Sequence, residues 1–332
     1  MGKEIKTRII TDASTWDEFV QSAGGPVFSR YAWLDAVAPI QGGKAVRIGS
    51  WYEGRIAAGA AFIEISRGGL RKAVSPILTP YCGFLYGDER DDGSGDTSSV
   101  QQLCAEQLIR FLENRYHYTM LAHDPGFSDI RPFSWKGWTT GVRYTYLLDI
   151  SNPDAVWEKC RPRARRQVAR AEKLFSVGTG CDPKVIGDIH EQTFRAKGEH
   201  LPVTGAQVAA WVKALNGNGL MEVRTALDQN GIVAGVQVNV LGPDTVYTVV
   251  YGTGSAYRDL GVDALLLWDA VKHYSRTRRY LDLVGANMPS IAFFKRGFGG
   301  DLKPYYVTER YSSTLAQLAL NAYSTAKKLL TR

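Results

Sequence analysis

The chain has 332 residues, 45% apolar and 22% charged, with a net charge of +7. This is the composition of an ordinary globular protein long enough for two domains, without the run of about 18 apolar residues a membrane span needs. Four scattered cysteines with no CxxC pair, and five scattered histidines, argue against a disulfide framework or a zinc site and fit a reducing cytoplasm. The positive balance leans toward anionic partners such as phosphates, nucleotides, RNA or an anionic membrane face.

Met1 to Asp12 is polar and charged, unlike the apolar core of a signal peptide. Helices are predicted over Ser14–Val20, with Ser14 as N-cap, and over Ser29–Val37. Strands follow at Ala45–Trp51 and Arg55–Ile65, joined by a Glu53-Gly54 turn, and Pro76 and Pro80 bracket an extended stretch. Asp88–Ser99 reads as a polar loop, Val100–Tyr116 as an amphipathic helix, and Tyr118–Ala122 and Arg143–Ile150 as strands.

The second half repeats this order. Ala206–Leu215 is a helix, and Met221–Leu227 and Ile232–Val240 form a hairpin across Asn230-Gly231, a strong turn signal. Strand Thr245–Tyr251, helix Asp263–Tyr274 and strand Tyr280–Val284 follow. Arg55–Gly59 mirrors Gly231–Gly235, and Phe133–Trp138 mirrors Phe293–Phe298. Two copies of a mixed α/β unit are therefore expected, over 1–152 and 153–311, with a C-terminal helix over 312–332.

Three stretches carry chemistry. Lys159–Lys173 holds seven basic residues against the single acid Glu172, with Arg163, Arg166, Arg170 and Lys173 on one helical face and Ala164, Val168 and Ala171 on another. That face is either solvated or tracks phosphates. Phe293–Gly300 sets Lys295 and Arg296 among phenylalanines and glycines. It is either a helix end with a solvated cation pair, or a site for an anion or an oxyanion forming on a carbonyl. In Thr314–Leu330, Leu315, Leu318 and Ala319 lie at helical spacing, which suits docking on the second domain or peripheral contact with a membrane surface.

Phe294-Lys295-Arg296-Gly297-Phe298-Gly299-Gly300 resembles the FK-x-GFGG signature of the Fem family of non-ribosomal peptidyltransferases. Tyr280-Leu281-Asp282, the Arg163–Lys173 helix, Gln192–Arg195 and Tyr247–Gly252 extend the likeness over nearly the whole chain, within the broader GNAT-type acyltransferases. The resemblance implies two tandem GNAT-like domains, each a mixed, mostly antiparallel sheet flanked by helices, and acyl or aminoacyl transfer to an amine in a cleft between them. Aminoacyl-tRNA or acyl-CoA would be the co-substrate, with no tightly bound cofactor, no metal and no DNA.

Several departures matter. Val37 stands where the peptidoglycan enzymes place a phosphate-binding lysine, and the long coiled-coil arm of some members is missing. Arg258–Asp263 half fits the pyrophosphate loop of coenzyme A-dependent relatives. Arg258 and Gly261 match it, but Asp263 puts a carboxylate where phosphate oxygens would sit, and reads as an N-cap.

Amine attack on an ester or thioester needs a neutral nucleophile, an aligned carbonyl and stabilisation of the tetrahedral oxyanion. The resemblance supports Lys295 for that last role, or for holding the donor's phosphate or ribose near the leaving oxygen, with Phe294 either walling the site or packing as plain core. Tyr251, Arg195, Asp124 and Asp282 are candidates for binding the acceptor. Their rival readings are core packing for Tyr251, a surface position for Arg195, turn initiation for Asp124 and a turn cap for Asp282. Arg258, Gly261, Arg163, Arg166 and Arg170 are candidates for holding donor phosphates. No dedicated general base is evident. A non-catalytic protein binding RNA or anionic lipid through Arg161–Lys173 is the rival from another class.

Overall fold

The computed structural model describes residues 5–87, 97–196, 201 and 203–320. Most of the predicted loop over 88–99, Lys197, and the C-terminal helix past Leu320 lie outside them. The chain forms two compact units, residues 1–142 with 305–332, and residues 143–304.

In the first unit the order is β1 (Lys6–Ile9), α1 (Ala13–Ser22), α2 (Tyr31–Val37), β2 (Lys44–Tyr52), β3 (Arg55–Arg67), β4 (Leu70–Val74), β5 (Phe84–Tyr86), α3 (Thr97–Arg115), β6 (Tyr118–Ala122) and α4 (Arg131–Trp135). The next strand, β7 (Thr139–Asp149), starts in this unit and runs on into the second. The sheet order is β1-β2-β3-β4-β6. Its pairings are antiparallel except β4 with β6, and β5 adds to β3. Residues 307–311 pair antiparallel with β6. Asp12, not Ser14, caps α1: its carboxylate accepts the Thr15 N–H at 2.7 Å and the Ser14 hydroxyl at 2.6 Å. A carboxylate there outcompetes the hydroxyl for the orphan N–H groups.

The second unit continues with α5 (Pro153–Lys159), α6 (Pro162–Ala171), β8 (Ser176–Thr179), α7 (Pro183–Ala196), α8 (Gly205–Leu215), β9 (Met221–Leu227), β10 (Val233–Leu241) and β11 (Thr245–Thr253). After a 3-10 turn over Ser255–Leu260 come α9 (Val262–Tyr274), β12 (Tyr280–Asp282), α10 (Pro289–Arg296) and β13 (Asp301–Tyr311), whose residues from Tyr305 on belong to the first unit. The sheet order is β7-β12-β11-β10-β9-β8, with β11 and β12 parallel and the other pairs antiparallel.

The hairpin between β9 and β10 forms over a turn at 228–232, with Gly231 left-handed at φ 76° and the Asp228 carboxylate accepting the N–H groups of Asn230 and Ile232. Helix α9 is apolar nearly all round and buried, as befits the crossover between two parallel strands. In each unit one parallel step interrupts an otherwise antiparallel sheet. That is the duplicated α/β architecture expected from the sequence.

The described part of the C-terminal helix covers 314–320. Ala316 and Leu320 turn inward, while Leu315 and Leu318 are exposed. The Ser313 hydroxyl accepts the Ala316 N–H at 3.1 Å and sets this phase.

Candidate functional site

The second unit gathers the signature. Helix α10 is short and ends in two cations with opposite fates. Arg296 is exposed, whereas Lys295 is only 3% exposed. The reading of a solvated cation pair therefore fails at Lys295, because burying an ammonium requires acceptors for its protons. Three are supplied: Nζ donates to the carbonyls of Leu283 at 2.5 Å, Val284, and Gly285 at 2.7 Å. The turn that presents them holds Val284 and Gly285 at φ of 46° and 69°. Glycine adopts that left-handed region freely, while a β-branched valine there is an outlier.

Asp282 pins the same turn from the other side. It is 2% exposed, and its Oδ1 accepts the Thr145 hydroxyl at 2.5 Å and the Val284 N–H at 2.8 Å. Tyr251, on β11, puts its ring 5.3 Å from the Lys295 ammonium and stacks with Phe294 at 6.4 Å between centroids. Burial first, and the Asp263 carboxylate second, push the Tyr251 hydroxyl well above the ordinary tyrosine range. It stays protonated at neutral pH and can donate but not abstract a proton. Phe294 in turn packs on Phe298 at 5.6 Å. Lys295, Tyr251, Phe294 and Asp282 thus converge on one place.

Of the predicted donor-binding residues, Arg258, Gly261 and Arg170 lie about the start of α9. Gly261 is left-handed at 84° and is itself the N-cap, so Asp263 is not the cap. The Asp263 carboxylate instead accepts the Thr253 hydroxyl at 2.5 Å, from inside the first turn. A side chain at 261 would place Cβ 2.5 Å from the Gln167 carbonyl of α6, so only glycine admits this approach. Arg170 reinforces the contact by donating to the Asp259 carbonyl at 3.2 Å.

On α6, Ala164, Val168 and Ala171 are buried, while Arg163, Arg166 and Arg170, and Lys173 just past its end, are exposed, matching the predicted division of faces. Its start also meets the signature, since the Arg161 N–H donates to the Gly297 carbonyl at 2.8 Å. Arg163 and Arg296 flank the half-exposed Phe293 ring at 5.6 and 5.7 Å. Arg258 is exposed and donates to the Gln192 carbonyl at 3.3 Å, and Arg195 is exposed in the last turn of α7.

Asp124 lies in the first unit, where its carboxylate accepts the Gly126 N–H at 2.8 Å in a turn. A hollow of about 330 Å³ in that unit, beside Tyr31, Asp35 and Arg47, contains none of the predicted site residues. Among the described residues no group of His, Cys, Asp and Glu could hold a metal ion, and no helix is long and apolar enough to cross a membrane. Sequence reasoning missed the carbonyl cradle and Thr145. The glycine after Val284 was the one available signal for the former, and a lone strand threonine gives none for the latter.

Residues 158–296 match the family model of the acetyltransferase (GNAT) domain. No curated protein shows significant sequence similarity to the chain. Among solved structures the chain is similar to FemX, at 14% identity and a TM-score of 0.65, over 91% of this chain and 96% of that one. It is also similar to a tandem GNAT protein from the clavulanic acid biosynthesis pathway, at 12% identity and a TM-score of 0.52, over 93% and 99% of the two chains. L-PGS from Bacillus licheniformis matches at 9% identity and a TM-score of 0.55, over 93% and 95%. The tandem GNAT-type fold is thereby borne out, and the resemblance to Fem-like proteins holds at the level of the fold. The acetyltransferase (GNAT) domain match over residues 158–296 supports an acyltransferase.

Proposed function

We propose that this chain transfers an aminoacyl group from aminoacyl-tRNA to an amine on a phosphorylated, glycan-linked or small-metabolite acceptor. The observation that carries the reading is the buried Lys295 ammonium, held under Tyr251 and Phe294 in the signature segment. A fixed cation in a site walled by aromatic rings is a preorganised electrostatic element, which acts on the negative charge developing on the carbonyl oxygen through the peptide groups that its three protons hold. The protonated Tyr251 hydroxyl suits donation toward the leaving oxygen or orientation of the acceptor. Asp282, bonded to Thr145 and Val284, keeps the turn beside it in place. No residue of the site is assigned as general base; the amine gives up its proton to the substrate or to water.

A polynucleotide carrier is favoured by the row of exposed cations on α6, which from Arg163 to Arg170 spans about 10 Å at 1.5 Å per residue, longer than one pyrophosphate. The acyl-CoA alternative draws support from the acetyltransferase domain match over residues 158–296. Against it, the Asp263 carboxylate sits in the first turn of α9, where it repels a pyrophosphate.

The test sets charged tRNAs with uncharged controls beside a panel of acyl-CoAs, at physiological salt. Binding and turnover with a charged tRNA, with turnover lost in Lys295→Ala while the fold persists, is the expected result. Selective use of an acyl-CoA would replace the donor in this reading. Salt-sensitive RNA binding without turnover would move the chain to the non-catalytic rival.

A further inference from the structure

The Lys295 ammonium has three protons, and three carbonyls accept them. An oxyanion would have to displace one of these carbonyls to be met by Lys295 directly. The three peptide units behind those carbonyls offer another route. Each planar trans peptide aims its N–H opposite to its C=O. The unit whose carbonyl belongs to Leu283 has its N–H on Val284, which donates to Asp282 at 2.8 Å. The unit whose carbonyl belongs to Gly285 has its N–H on Ala286, which donates to the Tyr144 carbonyl at 2.7 Å. The middle unit joins the Val284 carbonyl to the Gly285 N–H, and that N–H has no acceptor among the described residues. Gly285 is half-buried, and a Cβ built on its Cα meets nothing within 4 Å, so the residue borders open space.

We propose that the Gly285 N–H is the oxyanion donor of the transfer reaction, and that Lys295 is the residue that positions and polarises it. The proposal rests on the acyl-transfer reading above. Hydrogen bonding of an ammonium to a peptide oxygen draws electron density through the amide and makes its N–H a better donor, as in any polarised chain of hydrogen bonds. Asp282 on the Val284 N–H and Lys295 on the Val284 carbonyl also fix the plane of the turn, so the donor needs no reorganisation as charge develops.

In the step itself the amine lone pair forms the new C–N bond, and the carbonyl π pair moves onto oxygen, where Gly285 N–H meets it. The oxygen pair then re-forms the C=O bond. The bond from carbon to the carrier oxygen breaks, and that oxygen leaves with the electron pair and gains a proton as the amine loses one.

Full-length protein made with glycolic acid in place of Gly285 deletes that N–H and leaves every side chain. The assay is single-turnover transfer to hydroxylamine, first with wild type, from a panel of charged tRNAs and acyl-CoAs. A silent wild type would overturn the acyl-transfer reading and this proposal with it. With an active wild type, the expected result is a fall of about 10²- to 10³-fold in the maximal single-turnover rate constant, the kcat of the chemical step, with the half-saturating donor concentration unchanged. Undiminished kcat would overturn the role of Gly285 and leave the acyl-transfer reading standing.

If the ester protein does not refold, wild type labelled with ¹⁵N-glycine decides the matter. A phosphonamidate, which places a tetrahedral anionic oxygen in the site, should move the Gly285 amide proton downfield, and less so in Lys295→Met. A Gly285 resonance that stays in place at millimolar phosphonamidate would overturn the proposal. A shift of equal size in Lys295→Met would overturn the positioning role of Lys295.

Discussion

Phe133–Trp138 in the first unit and Phe293–Phe298 in the second are close in sequence and opposite in what they bury. Both form a short helix, and both end on a buried aromatic after a glycine, Trp138 and Phe298. In the first, Phe133 is buried among Phe84, His123, Phe127 and Trp138, and Trp135 is 57% exposed. In the second, Phe293 is 50% exposed and Lys295, at the position matching Trp135, is buried. The strands that precede the two segments explain the exchange. After β6 the chain turns in the neutral His123 imidazole, whose Nδ1 accepts the Phe84 N–H and whose Nε2 meets the Thr308 hydroxyl. After β12 it turns in three carbonyls, and the Lys295 ammonium supplies a proton to each. One unit closes its segment as core, and the other as a charged site.

The widest separation of the two should come from Lys295→Met set beside Trp135→Met. Removing the ammonium orphans three carbonyls, so chemical denaturation should show the second unit destabilised by about 3–5 kcal/mol, the range seen when one partner of a buried ionic group is removed. Transfer activity should fall about 10²- to 10³-fold. Trp135→Met should change stability by no more than about 0.5 kcal/mol. Equal effects at the two positions would erase the contrast drawn between the segments.

His123 gives the next largest effect, and it belongs to the first unit alone. Burial lowers its pKa from 6.5 to about 3, because the imidazolium is disfavoured inside. The unfolded chain therefore binds the proton first as pH falls. The stability this group contributes is complete above about 6.5 and is lost progressively toward about 3, by up to about 1.4 kcal/mol per pH unit. Urea titrations across that range should show a shallower slope in His123→Gln than in wild type. An unchanged slope would mean that the imidazole is hydrated in solution and that the first segment is less closed than described.

Asp282→Asn should cost less, about 1–2 kcal/mol, since the amide keeps an acceptor oxygen for Thr145 or Val284 but gives up the charge-assisted bonds. Thr145→Val should cost about 1 kcal/mol. Both should lower kcat more than KM if the turn at 283–285 aims a donor, and a pure KM effect would assign Asp282 to holding the acceptor instead.

The sequence showed the duplicated order of strands and helices well, because hairpin turns and the two faces of α6 follow from local spacing alone. Asn230-Gly231 predicted its turn, and alternation of Arg163, Arg166 and Arg170 with Ala164 and Val168 predicted which side of α6 is wet. Lys295 could be picked out as a candidate, but its burial could not. The acceptors lie on backbone carbonyls ten to twelve positions away, and carbonyls have no residue code. The cap of α1 went to Asp12 instead of Ser14 for a related reason, since two neighbouring residues could each cap and only geometry chose. Local pattern thus located the segment, and the turn opposite it decided its chemistry.

The smallest structural effect and the sharpest functional one should coincide on α6. Arg163, Arg166 and Arg170 are exposed, so each change to Gln should leave stability within about 0.5 kcal/mol of wild type. Arg170 could depart slightly through its bond to the Asp259 carbonyl. If the row tracks a polynucleotide, each loss should weaken binding of charged and uncharged tRNA alike, and flatten the slope of log affinity against log salt by about 1 for each phosphate contact removed. Turnover at saturating donor should survive, because Lys295 and the turn it holds are untouched. Binding and chemistry would then separate within one unit, the first on α6 and the second at the end of α10. A double variant at Arg166 and Arg170 that keeps full tRNA affinity but loses kcat would instead tie α6 to the reacting centre, through the contact of Arg161 with Gly297.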